Sequence, residues 1–139
     1  MSEENVETVR RIFDSFAVVQ DDLRRRDLAI GKPWAEDVEF DASDLALPDL
    51  GDGRLRGHEG VRRVWVAWLA AWEDITFEYE LRDAREHVVA LIEQQMHGSE
   101  EMELEGRYAQ LWTFKAGEVV RWKGFRDQRE ALEAAGLSE

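Results

Sequence analysis

Three side chains in this 139-residue chain are candidates for moving protons: Asp41 and His58, which fall where elements end and begin, and Glu93, inside a strand segment. Asp41 closes the segment "DVEFDAS". A carboxylate packed there against Phe16, Trp34 and Trp65 would have its pKa raised and act as a general base. Its plainer reading is a solvated strand-end aspartate. His58, in "RGHEG", precedes an apolar helical run, where an imidazole works as acid or base near the mouth of a site, or simply as a solvated first-turn residue. Glu93, within "HVVALIEQQMHG", is the third candidate acid–base, provided that it points inward. Asp127 is read differently: followed by Glu130 in "DQRE", it has the spacing of a helix capping box.

A second set of residues has the chemistry of a binding wall. Trp65, Trp68 and Trp72 recur at intervals of three and four in "VRRVWVAWLAAWED", a helical stripe that fills a core or borders a cavity. Phe13, Phe16, Trp34, Phe40, Leu111 and Trp122 would supply the remaining apolar lining, which suits a flat hydrophobic molecule. Arg107 and Arg126, opposed across the last hairpin, call for an anion between them: Glu93, Glu105 or a bound carboxylate.

Those residues need elements to hold them. Val6, Val9, Ile12, Phe13 and Phe16 form one apolar face of a first helix, capped by Ser2; a second short helix closes at Gly31 and Pro33. "DVEFDAS" alternates as a half-buried strand, and "DLALPDLGDGRLRGHEG" reads as a long loop. After the tryptophan helix the period changes to two. Four antiparallel strands follow, with turns near Asp83-Ala84, Ser99-Glu100 and Ala116-Gly117, and a C-terminal helix ends at Gly136.

A two-residue turn at Ala116-Gly117 predicts an unbroken ladder pairing Trp112 with Arg121, Leu111 with Trp122 and Ala109 with Gly124. Ala109 and Gly124 would then leave a dent between bulkier neighbours. Tyr108, Trp112, Phe114, Arg121 and Phe125 would share the other face, for which a second copy of the chain is the expected cover.

Composition bounds the rest. The chain carries 31 acidic and 18 basic residues, a formal charge of -13, which repels phosphate backbones and anionic lipid; neither nucleic acid nor membrane is an expected partner. There are no cysteines, and His58, His87 and His97 show no ligand spacing, so no metal and no cofactor are expected. "MSEENVETVRRIF" lacks the basic start and apolar run of a signal peptide, from which a cytoplasmic location is expected. The length suits one domain over residues 1–139.

The order of elements, carried by "SEENVETVRRIFDSF", "DVEFDAS", "GHEGVRRVW" and "YAQLWTFKAGEVVRWKGFRDQREALEAAGL", resembles the SnoaL-like polyketide cyclases of the nuclear transport factor 2-like superfamily, which share the ketosteroid isomerase-like fold. The resemblance implies an α+β fold: a curved antiparallel sheet wrapped around the N-terminal helices as a cone-shaped barrel with an internal pocket, dimerising through its outer sheet face. It implies less about chemistry. Ketosteroid isomerases use a tyrosine and a protonated acid where this chain has Phe16 and Ala109, with Asp41 near the base. Limonene epoxide hydrolases match at Trp122, yet Gly124 stands where their aspartate belongs. For a polyketide cyclase, Glu93 and Glu105 are the stand-ins for the strand carboxylate. The leading expectation is therefore binding of a small hydrophobic metabolite. The alternatives are a cyclase, isomerase or hydratase using Asp41, His58 or Glu93, and a non-catalytic dimeric interaction module with a filled core.

Overall fold

The computed structural model describes residues 3–13, 33–45, 53–71, 74–97 and 103–137, and at 45, 65–71, 74–77, 94–97 and 103–106 it describes the backbone. Residues 3–13 form helix α1, whose inner face buries Asn5 and Val9 and half-buries Ile12 and Phe13, the helical period read from the sequence. There follow β1 (Trp34–Asp41), a 3-10 turn (Ser43–Leu45), β2 (Arg54–Arg56), α2 (Gly57–Ala71), β3 (Asp74–Ala84), β4 (His87–His97), β5 (Glu103–Lys115), β6 (Glu118–Phe125) and α3 (Gln128–Ala134). Phe16, Ser2, the second short helix and the turn near Ser99 lie outside the described residues, as do the side chains of Trp65, Trp68 and Trp72.

The described elements make an α+β arrangement around one six-stranded sheet, ordered β2-β1-β6-β5-β4-β3 and left open at its edges. The sheet is mixed rather than wholly antiparallel, because β1 runs parallel to β6 while β3 to β6 form the expected meander. The first meander turn falls at Arg85-Glu86 instead of Asp83-Ala84, since β3 keeps pairing to Ala84 opposite His87. At Ala116-Gly117 both residues have positive φ (53° and 81°), the turn whose twist matches that of the strands it joins.

Within the expected long loop, Arg54–Arg56 forms β2 and pairs with Glu39–Asp41. Gly53 makes that return possible: its φ is 79°, and a Cβ there would stand 2.6 Å from the Ser43 Cα. The Gly53 carbonyl accepts from Ala42 N at 2.7 Å, closing the loop on β1.

The last hairpin departs from the unbroken ladder. Phe114 pairs with Val119 as expected, but Val120 is then an extra residue; Thr113 meets Arg121, Trp112 meets Trp122, Gln110 meets Gly124 and Ala109 meets Phe125. One bulge shifts the rest of β6 by one, and because side chains alternate this exchanges their faces relative to β5. The concave face receives Tyr108, Gln110, Trp112 and Phe114 of β5 with Trp122 of β6. They join Val88, Ala90, Ile92, Val38 and Phe40 and pack on Val9 of α1 and Val61 and Val64 of α2.

The convex face carries Val89, Leu91, Ala109, Leu111 and Phe125, and α3 lays Ala131 and Leu132 over them. Asp127 caps α3 as expected, accepting from Arg129 N at 2.8 Å. At the far end Gly136 has φ 79°, and Leu137 N reaches back to Leu132 O at 2.8 Å. This corrects three sequence expectations. Ala109 and Leu111 face outward beneath α3. Tyr108, Trp112 and Phe114, placed on an outer dimer face, are inside the chain's own core. Phe125 is outside but covered, so of that expected aromatic face only Arg121 is exposed.

Candidate functional site

Residues paired across strands stand side by side, so the concave face is built in rows. One row runs Val88, Trp112, Trp122 and Phe40. Phe40 and Trp122 stack at 4.1 Å, and Trp34 sits 5.2 Å from Trp112 and 5.7 Å from Phe40. None of these four aromatic residues is more than 4% exposed, so that end is solid with side chains. The next row is Leu81, Ala90, Gln110 and Gly124; beyond it lie Tyr79, Ile92 and Tyr108. Ala90 and Gly124 bring a methyl and a hydrogen to positions flanked by large rings, which lowers the middle row. Phe13 of α1 stacks on Tyr79 at 4.5 Å and lies 6.1 Å from Trp112. Phe13, Tyr79, Leu81 and Gln110 remain half-buried, although Tyr108, Trp112, Ala90 and Gly124 around Gln110 are buried. Among the described residues, the patch between α1 and β3–β5 is accordingly an accessible part of the interior.

A directional chain of polar groups crosses this patch. The Trp112 Nε1–H donates to Gln110 Oε1 at 3.0 Å. Burial pushes the Tyr108 phenol far above its ordinary range, and a hydrogen bond from Gln110 offsets a part of that. A bond that favours the charged phenolate must be donated to its oxygen, so Gln110 supplies N–H and Tyr108 accepts. Tyr108 thus keeps its proton at any working pH. Its backbone is held from the other side: Gln128, at the start of α3, donates from Nε2 to the carbonyls of Tyr108 and Ile92, each at 3.3 Å.

The three proton-transfer candidates are dispersed. Asp41 lies between Arg54 of β2 and Lys123 of β6 and accepts from Ser43 N at 3.0 Å and Ser43 Oγ at 2.6 Å. Burial raises its pKa, but the two Ser43 bonds and the Lys123 and Arg54 charges outweigh burial and leave it below the ordinary aspartate value. Its work is to hold the turn after β1. His58 faces the Trp34 carbonyl with Nε2 at 2.8 Å; a carbonyl only accepts, so Nε2 carries the proton and pins α2 to β1. Glu93 is on the convex side and exposed, paired with Arg107 Nε at 3.1 Å.

That ion pair answers the question of what lies beside Arg107: it is Glu93, in the surface. Arg126 does not oppose Arg107, because β6 ends at Phe125; it is exposed, and its backbone N donates to Asp44 Oδ2 at 2.8 Å. The Glu105 side chain is outside the described set. Of the expected lining, Phe13, Trp34, Phe40, Trp122 and Gly124 are on the concave side. Tyr79, Leu81, Tyr108, Gln110 and Trp112 belong beside them and were not among the expected lining residues. The signal for them is in "RYAQLWTF": a carboxamide sharing the alternating face of a tyrosine, a tryptophan and a phenylalanine is a buried polar group with a reason to be there.

Among the described residues no helix is long and apolar enough to cross a membrane, and no cluster of three His, Asp or Glu side chains has the arrangement of a metal site. Residues 6–122 match the family described as the SnoaL-like domain. No curated protein matches the chain. An NTF2-like protein of unknown function from Burkholderia pseudomallei K96243 is similar in structure, with TM-score 0.66 and 22% identity over 96% of this chain and 97% of that one. TerC, co-crystallised with polyporic acid, has TM-score 0.65 and 18% identity over 96% of this chain and 98% of its own. A hypothetical protein with ketosteroid isomerase-like fold from Catenulispora acidiphila DSM 44928, in complex with trimethylamine, has TM-score 0.59 and 14% identity over 91% and 93%. At these identities the likeness is one of fold. A fold of this kind with an interior aromatic cluster is compatible with small-molecule binding or isomerase activity.

Proposed function

The chain belongs to the SnoaL-like domain family, and from that premise we propose that it binds a small, flat, hydrophobic metabolite on the concave face of its sheet, between α1 and strands β3 to β5. The observation that carries the reading is the half-buried patch of Phe13, Tyr79, Leu81 and Gln110, set beside the buried Tyr108, Trp112, Ala90 and Gly124. Apolar rings supply affinity by leaving water, and a few fixed polar groups supply orientation. Two proteins of similar fold were crystallised with small organic molecules, polyporic acid and trimethylamine, which supports a small-molecule-binding role.

Acid–base turnover by Asp41, His58 or Glu93 has less support. Asp41 and His58 are engaged in holding turns and elements, and Glu93 is on the convex surface. A filled core describes the Trp34–Phe40–Trp112–Trp122 end well, but it leaves the half-buried patch unexplained.

Calorimetric titration with naphthalene tests the proposal. Saturable binding is expected, together with its loss in Leu81→Trp, which fills the patch while keeping an apolar strand position. No saturable binding to the folded wild-type chain overturns the reading.

A further inference from the structure

We infer that Gln110 is a recognition carboxamide, whose remaining edge binds a neutral ligand bearing a hydrogen-bond donor and acceptor side by side, as a cyclic amide does. The inference deepens the binding reading above and rests on it.

A carboxamide has two acceptor positions on its oxygen and two N–H donors. An indole N–H can only donate, so the 3.0 Å contact from Trp112 fixes which end of the Gln110 side chain is the oxygen. The amide nitrogen then faces Tyr108, to which Gln110 donates. Trp112 and Tyr108 lie two residues to either side of Gln110 on one face of one strand, so the two bonds leave the carboxamide in opposite directions along β5. What is left is the edge between them, one lone pair beside one N–H. Among the described residues, Trp112 and Tyr108 are the partners of this side chain.

Sideways along the row the neighbours are Ala90 and Gly124, neither of which has a polar side chain to reach that edge. Gln110 nevertheless retains contact with solvent, whereas Tyr108, Trp112, Ala90 and Gly124 are buried, so the edge faces accessible space. The charged residue nearest on β5, Arg107, is directed to the convex side with Glu93, which leaves this column of side chains without formal charge and suits a neutral ligand. A ligand that covers the edge without matching both groups strands a buried donor and a buried acceptor, and so binds more weakly.

Three bicyclic probes of nearly one shape separate the possibilities by calorimetry: naphthalene, the lactam carbostyril, and N-methylcarbostyril, which lacks the donor. The wild-type chain is expected to bind carbostyril about tenfold or more tighter than N-methylcarbostyril, since one unmatched buried polar group costs about that factor. Gln110→Leu should bring the two lactams level, a comparison made within the variant so that any change in its overall affinity cancels. As a second measurement that needs no variant to bind, the Gln110 side-chain amide resonances of wild-type protein should shift with carbostyril and stay put with naphthalene. Equal affinity for the two lactams, or a lactam preference that survives Gln110→Leu, overturns this inference alone. Absence of binding to all three probes overturns the binding reading beneath it as well.

Discussion

The indole N–H of Trp112 points along its own strand to the side-chain oxygen of Gln110, 3.0 Å away, in the apolar interior of the sheet. Both residues sit on a face that buries Tyr108 and Phe114, so neither partner can be removed without leaving the other short of a hydrogen bond.

That pair should be visible energetically. A double-mutant cycle of Trp112→Phe and Gln110→Leu, read by urea unfolding, should return a coupling of about 1 kcal/mol, the net worth of a neutral hydrogen bond, here a part-buried one. Additive losses would show that the contact contributes nothing to the folded state.

Tyr108 sets an alkaline limit. Its folded pKa is raised by burial above the ordinary 10.0, so the folded state favours the neutral phenol. The stability this represents is fully present below the unfolded pKa and is lost as pH rises from there toward the folded value. Ultraviolet titration should show one tyrosine that ionises only as the chain unfolds, and Tyr108→Phe should remove that late step. Titration of both tyrosines in the folded protein near their usual pKa would contradict the burial.

Asp41 acts at the acid end with the opposite sign. Its folded pKa is lowered, so its contribution is present above the unfolded value of 3.8 and disappears as pH falls through the folded pKa. Wild-type stability should therefore fall more steeply than that of Asp41→Asn on acidification below about pH 4. At neutral pH, Asp41→Ala should cost about 1 kcal/mol through loss of the Ser43 turn bonds, close to the usual cost of removing a cap. A bell-shaped rate profile that vanishes in Asp41→Asn would instead give Asp41 the catalytic role.

Leu132 anchors α3 to the convex face. Leu132→Ala should destabilise the fold by about 2–5 kcal/mol and loosen the cover over Leu111 and Phe125. Light scattering should then report self-association that grows with protein concentration. An unchanged melting profile would mean that α3 is not docked as described.

Much of the architecture was legible because it depends on local signals. The period of two from β3 onward, the Ala116-Gly117 turn, the Asp127 cap and the Gly136 terminus each depend on residues within a few positions of one another, and each is in place. The site was less legible, and one residue accounts for much of that. Val120 bulges out of β6, and beyond it every pairing assumed from the turn is displaced by one. Ala109, expected to open the interior, went under α3, and Tyr108 and Trp112 came in.

By itself, then, the sequence determined the kinds of elements, their order and an interior rich in aromatic rings, because alternation, helical spacing and turn residues act over a few bonds. Only the tertiary structure decided which face of β5 is the inner one. A bulge forms where sheet twist and the packing of Trp122 on Phe40 favour it, and that contact joins residues more than eighty positions apart. The same long-range packing put Gln110 between Ala90 and Gly124, contributed by strands on either side.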